Sequence, residues 1–169
     1  MLEGARGAHK TLRIAKLKDF KNLCGKIYFV GLEKVKNAKY TQEANFSMMR
    51  LSELELKWSD GLLDSRNEIL EKAVLDELKP CHEYLKQLNI YSYGGLDFPK
   101  WIGDPLFLRL KHLLIIGCKR CTSLPSLARL PSLKELFIEG LYGVEFVDFE
   151  LFGTDCCWIG DRLSFMSNG

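Results

Sequence analysis

The sequence predicts an α/β repeat solenoid, and three observations carry that reading. The pattern L-x-x-L-x-L/I occurs four times, as Leu51-Leu54-Leu56, Leu85-Leu88-Ile90, Leu110-Leu113-Ile115 and Leu133-Leu136-Ile138. A weaker copy, Ile27-Phe29 after Leu23, has a first interval one residue too long and aligns through its last two apolar positions. The middle anchors Ile27, Leu54, Leu88, Leu113 and Leu136 are 27, 34, 25 and 23 residues apart, a self-similarity of near-constant period. The later connections carry Gly94-Gly95, Pro99, Pro105, Pro125 and Pro131, which favour turns and short 3₁₀ segments over long helices.

Three of the four intervals fall within the roughly 20–29 residues of a leucine-rich repeat. In L-x-L two side chains point to the same face of a strand, because side chains alternate with period two. One such strand cannot bury its apolar row alone; stacked repeats place the rows side by side in one core. The expected architecture is a leucine-rich-repeat solenoid of about five repeats. It is a curved horseshoe with a parallel β-sheet on the concave face and irregular turns and short helices on the convex side.

The elements follow in chain order. Residues 1–16 receive no assignment, although Leu12, Ile14, Leu17 and Phe20 could cover the first repeat. The repeat domain runs over 17–153. After the strand at Ile27-Phe29, a helix is expected across Glu33–Phe46, with Val35, Ala38 and Ala44 inward. The 34-residue interval is explained by an inserted helix over Asp64–Lys79. Asp64 or Ser65 is its N-cap, Ile69, Ala73 and the Val74–Leu78 pair recur at helical spacing, and Pro80 stops it. Residues 154–169 are an unassigned tail in which disorder is expected. The ordered part is expected from Leu51 to Phe149, with frayed ends and an open edge beyond the last repeat strand.

Composition excludes several function classes. The 24 Lys+Arg against 22 Asp+Glu leave a net charge of +2, too small to point to nucleic acid. With 47% apolar and 27% charged residues, the chain is an ordinary globular mix. No uncharged apolar run approaches about 18 residues, so no membrane insertion is expected. The start, MLEGARGAHKTLRIAKL, has basic residues but no apolar stretch of a secretory signal. The six Cys then read as reduced thiols of a cytoplasmic protein.

Motifs with catalytic or ligand-binding potential fail on chemistry. GARGAHKT (Gly4–Thr11) approaches a phosphate-binding loop, but His9 stands where the second Gly must allow close backbone approach, and only three residues precede Gly4. Cys118-x-x-Cys121 lacks the second ligand pair of a structural zinc site. Cys118 instead lies five residues after Leu113, at the Asn/Cys position of the repeat. His9, His82 and His112 match no nucleophile or acid–base partner, and Cys156-Cys157 are poor chelators and a strained disulfide pair. No catalytic, cofactor-binding or metal-binding residue is assigned, and the protein reads as a non-enzyme. Trp58, Tyr93, Phe98 and Trp101 recur where strands leave the sheet and are expected to pack as core beneath the connections.

The connecting residues resemble a known family. GKIYFVGLEKVKNAKYTQEAN (Gly25–Asn45) leads into LSELELKWS (Leu51–Ser59). VLDELKPCHEYLKQLNIYSYGGLDFPKWIGD (Val74–Asp104) and CKRCTSLPSLARLPSLKELFIEGLYGVEFVDFELFG (Cys118–Gly153) follow. The run from about Leu17 to Gly153, with its YGG-x-x-FP-x-WIGD and C-x-x-C-x-SLPSL-x-x-LPSLK-x-L motifs, resembles the leucine-rich-repeat region of plant coiled-coil, nucleotide-binding disease resistance proteins. The resemblance implies docking on the receptor's own nucleotide-binding module to hold it inactive, and recognition of a pathogen effector, directly or through a guarded host protein. The coiled coil and the ATPase module of that family are not in this sequence, so a fragment is expected. The alternatives are a stand-alone scaffold or decoy that binds a host or pathogen protein, and a non-functional gene fragment.

The x positions of the repeat point outward. They are Ser52, Glu53, Glu55 and Lys57, then Lys86, Gln87, Asn89 and Tyr91, then Lys111, His112, Leu114 and Ile116, and last Lys134, Glu135, Phe137 and Glu139. Leu114, Ile116 and Phe137 are apolar yet outward and should form one patch. With Lys86, Asn89, Tyr91, His112 and Glu139 they are the candidate protein-contact residues.

Overall fold

The computed structural model describes residues 14, 17, 23–61, 66–144, 156–159 and 162–166. Its frame is a sheet of strands β1 (Cys24–Val30), β2 (Arg50–Lys57), β3 (Gln87–Tyr91), β4 (His112–Ile116) and β5 (Glu135–Glu139), each parallel to the next. Two later strands, β6 (Cys156–Ile159) and β7 (Arg162–Met166), extend it in the order β1-β2-β3-β4-β5-β7-β6.

The repeat anchors coincide in space as their spacing predicts. Ile27, Leu54, Leu88, Leu113 and Leu136 form one row of Cα partners, and Phe29, Leu56, Ile90, Ile115 and Ile138 form the next. From β2 to β5 both rows are at most 1% exposed. The weak first copy pairs through its last two apolar positions, Ile27 with Leu54 and Phe29 with Leu56. The β1–β2 register shifts between Gly25 and Lys26, where Gly25 adopts φ 87; Gly25 rather than Leu23 faces Leu51, and the extra residue is Ser52 on β2. Such a bulge takes up one residue without turning the apolar row to the wrong face.

Chain exit from the sheet is also repeated. Gly31, Ser92, Gly117 and Gly140, each the first residue after its strand, have φ of 81, 54, 68 and 69. The left-handed turn sends the chain under the sheet, and glycine accommodates it at least cost. There the aromatics pack as expected: Trp58 and Tyr93 are edge to face at 5.2 Å, Tyr93 and Phe98 lie 5.5 Å apart, and Trp101 and Phe107 6.1 Å apart.

Helix expectations need correction. The segment Glu33–Phe46 is not one helix. It breaks into a 3₁₀ turn at Leu32–Lys34, α1 (Lys39–Ala44) and a second 3₁₀ turn at Phe46–Met48. Val35 is extended and Asn45 left-handed, which interrupts the helix at both places. Ala44 is buried, whereas Val35 and Ala38 are half-buried. The inserted helix α2 covers Glu68–Glu77, shorter than expected, and its N-cap is Asn67, whose side chain accepts from Leu70 N at 3.0 Å. Asp64 and Ser65 lie outside the described residues. Ile69 is 78% exposed, and the inward face is Glu71, Val74, Leu75 and Leu78.

At the ends, Ile14 and Leu17 join the core, while Leu12, Phe20 and Gly4–Thr11 lie outside the described residues. The disordered tail expected over 154–169 is replaced, within its described part, by the β6–β7 hairpin. β7 runs antiparallel along β5, pairing Phe165 with Leu136 and Leu163 with Ile138. Free N–H and C=O groups along β5 are a template for such pairing, so β5 is not an open edge. No helix among the described residues is long and apolar enough to cross a membrane.

Leu113 is 1% exposed in the middle of its row. Leu113→Ala should lower unfolding free energy by about 2–5 kcal/mol, measured by chemical denaturation. A loss below about 0.5 kcal/mol would contradict its core position.

Candidate protein-binding face

The parallel register builds the outer face as directly as the core. Three rows of outward residues cross the sheet: Glu53, Gln87, His112, Glu135; Glu55, Asn89, Leu114, Phe137; and Lys57, Tyr91, Ile116, Glu139. Leu114 and Phe137 are direct partners on β4 and β5, and Ile116 lies two residues along β4. All three are half-buried rather than open, because each has strand neighbours on its row. Leu114, Ile116 and Phe137 thus occupy neighbouring positions on two outer rows.

The polar candidates are tied to one another. Asn89 donates from Nδ2 to Glu55 at 3.4 Å and accepts from Gln87 at 3.3 Å. Tyr91 has Lys57 Nζ 5.8 Å from its ring centre, and burial followed by the nearby Glu55 carboxylate raises its hydroxyl pKa. His112 Nδ1 lies 2.8 Å from Glu135 Oε2. Glu139 borders Ile116 on one side and pairs along the backbone with Arg162 on the other. Lys86, by contrast, is exposed at the strand entry.

Lys86 is not alone there. Lys111 N donates to Lys86 O at 2.8 Å, and Lys134 N donates to Lys111 O at 2.9 Å. Three exposed lysines thus stand in a ladder along one margin of the face. Lys111 and Lys134 are outward x positions of the repeat that are not among the contact residues expected from the sequence. The signal was legible: Lys follows the first Leu in three successive copies, Leu85-Lys86, Leu110-Lys111 and Leu133-Lys134.

A scan of known families matches the R13L1/DRL21 leucine-rich repeats over residues 14–141. The chain belongs to that family. An Arabidopsis thaliana protein named for disease resistance, RPP13-like protein 1, is 35% identical over 150 residues, covering 85% of this chain and 14% of the relative. The Solanum bulbocastanum protein RGA4, also named for disease resistance, is 39% identical over 145 residues, 84% of this chain and 14% of its own length. Disease resistance protein RGA2 of the same species is 35% identical over 130 residues, 75% of this chain and 13% of its own length. The chain thus spans about a seventh of these relatives. No solved structure matches it.

The motifs that carry the family resemblance lie beneath the sheet. Arg66 and Glu71 form a buried ion pair, each side chain 6% exposed, with Arg66 Nε 2.7 Å from Glu71 Oε1. The same carboxylate accepts from Gly94 N at 2.8 Å. A Cβ on Gly94 would stand 2.9 Å from Glu71 Oε2 and 3.0 Å from Arg66 Cζ, so a side chain there would push against the ion pair. Tyr93 donates its hydroxyl to Asp97 O at 3.0 Å, and burial, ahead of the Cys121 and Asp97 charges, pushes its pKa far up. Trp101 Nε1 donates to Leu75 O at 3.1 Å, which ties the motif to α2. A Cβ on Gly103 would meet Ser126 O at 2.6 Å, so this glycine permits close packing with the next repeat.

The two motif cysteines also serve the backbone. Cys118 Sγ lies 3.7 Å from Ile116 O, and Cys121 Sγ lies 3.2 Å from Gly95 O. Both are buried free thiols, and a side-chain hydrogen bond with Cys118, with burial next, raises the Cys121 thiol pKa. A thiol held in its protonated form is a poor nucleophile and a poor metal ligand. Among the described residues no three His, Cys, Asp or Glu side chains gather as a metal site. His82 packs against Phe107, 6.4 Å between ring centres.

Removing one partner of a buried ion pair leaves an uncompensated charge. Glu71→Ala should therefore lower stability by about 3–5 kcal/mol, because it strands Arg66 and orphans Gly94 N–H. The paired change Arg66→Met/Glu71→Met should cost less than Glu71→Ala alone. Equal losses in the two variants, read by denaturant titration, would contradict the coupling.

Proposed function

We propose that this chain is the recognition portion of a plant intracellular immune receptor and works in the cytoplasm by binding protein rather than by catalysis. Its concave face contacts a pathogen effector, a guarded host protein or the receptor's own nucleotide-binding module, and the last contact holds the receptor inactive. The observation that carries this reading is the apolar patch of Leu114, Ile116 and Phe137 on the outer rows of β4 and β5. Apolar residues on the solvent side of a rigid sheet are costly to leave wet and serve as anchors when a partner covers them. The relatives are named for disease resistance, which supports this reading. A stacked parallel sheet supplies the long surface that solenoids use for binding.

Replacing Ile116 and Phe137 together by Ser should weaken binding to the cognate nucleotide-binding module by about 2 kcal/mol or more, or roughly 30-fold in Kd. Calorimetry checks the affinity, and circular dichroism checks that the fold is retained. Unchanged affinity in a folded variant would remove the patch from the binding surface. Loss of the fold would show that both residues serve the core instead.

A further inference from the structure

The charges on the concave face are unevenly committed. Glu53 holds Lys26 Nζ at 2.7 Å, Glu55 accepts from Asn89 at 3.4 Å, and Glu135 Oε2 lies 2.8 Å from His112 Nδ1. These three carboxylates are thus engaged by a neighbour on their own row, Glu55 by a neutral amide, whereas Glu139 at the far end of β5 makes no ion pair with a described residue. Lys86, Lys111 and Lys134 are exposed, and none makes an ion pair with a described residue. Three like charges on adjacent strands, about 4.8 Å apart at the backbone, repel one another and leave a local positive field.

The apolar side chains lie at a matching distance. Leu114 is three residues along β4 from Lys111, roughly 10 Å at the rise of a strand. An extended peptide laid across the strands sends alternate side chains to opposite sides. One set faces the lysine ladder, and the other faces Leu114 and Ile116. Lysine ammonium groups on flexible stems reach carboxylates without fixed geometry.

We propose that the concave face receives an acidic, extended segment of a protein partner, with carboxylates on Lys86, Lys111 and Lys134 and apolar side chains on Leu114 and Ile116. The proposal rests on the protein-binding reading of this face and adds the chemistry of the partner. Charge complementarity selects the occupant: the unneutralised lysines favour carboxylates, and the adjoining apolar row disfavours a ligand that is charged throughout.

The test uses the full chain and fluorescence anisotropy with three labelled probes. They are a peptide of alternating Glu and Leu, a peptide of alternating Lys and Leu, and an oligouridylate. The Glu–Leu peptide should bind, and its Kd should rise about tenfold between low and high salt. The Lys–Leu peptide should not bind. Lys86→Glu/Lys111→Glu/Lys134→Glu should weaken the Glu–Leu peptide at least about tenfold, whereas Arg at the three positions should retain it. Thermal unfolding verifies that both variants fold, and Ala at the three positions serves if the Glu variant does not.

Equal binding of both peptides, weakened by Ile116→Ser, would overturn the acidic partner while leaving a protein-binding face. Tighter binding of the oligouridylate than of the Glu–Leu peptide would overturn it in favour of nucleic acid. Binding of neither peptide would overturn the proposal, and the Ile116 and Phe137 replacements against the nucleotide-binding module would then decide the wider reading separately.

Discussion

Leu54, Leu88, Leu113 and Leu136 lie side by side because each strand bonds to the next without slipping by even one residue. Side chains alternate across a strand, so a one-residue slip would exchange the two faces. Glu55, Asn89 and Lys57 would then enter the core, and the Leu and Ile rows would meet water. Burial of those rows therefore pins the register, and the register in turn sets which residues share an outer row. The patch at Leu114, Ile116 and Phe137 and the ladder at Lys86, Lys111 and Lys134 are by-products of that single constraint.

A second constraint acts where the repeat is longest. The 34-residue interval inserts α2 under the sheet, and an inserted helix must be held there. The buried Arg66–Glu71 pair holds it electrostatically to Gly94, while Trp101 holds it through Leu75 O. Buried ion pairs are not strong sources of stability against apolar replacements. Their geometry is specific, however, and this one fixes α2 against the exit turn of β3. Glycine at 94 suits that arrangement, since a Cβ there would crowd the carboxylate at 2.9 Å.

Legibility of the fold in the sequence followed the strength of each periodic signal. The L-x-x-L-x-L copies located four strands, and the weak fifth was recovered by trusting its last two apolar residues over its first. The helices were less legible. Ile69 looked like an inward residue because it is apolar, yet Glu71 holds the inward place, since its carboxylate has partners that a pattern of apolar residues does not reveal. The segment Glu33–Phe46 is composed of helix-compatible residues, and its breaks at Val35 and Asn45 come from backbone conformation rather than from Gly or Pro. The pairing of β7 with β5 was hidden because a strand that returns antiparallel to an existing edge owes its place to backbone hydrogen bonds and not to the repeat.

On the outer face, the sequence revealed which residues point outward but not which are engaged. His112 and Glu135 look like independent contact residues until their 2.8 Å approach is seen, and Asn89 is likewise spent on Gln87 and Glu55. Once these pairs are set aside, the groups left on the face include an apolar row, a margin of lysines at the strand entries, and Glu139 at the opposite end. The family motifs are engaged elsewhere: Tyr93, Gly94, Phe98, Trp101, Gly103 and Cys121 all lie below the sheet. Stability thus resides on the inward rows and the connections, and the proposed recognition falls on outward rows that the core does not constrain. On the proposed reading, a change at Leu114 alters what the surface binds while Leu113, one residue away, keeps the strand in place. That separation, one residue wide and repeated along the sheet, is what lets a solenoid of fixed fold present different binding chemistry.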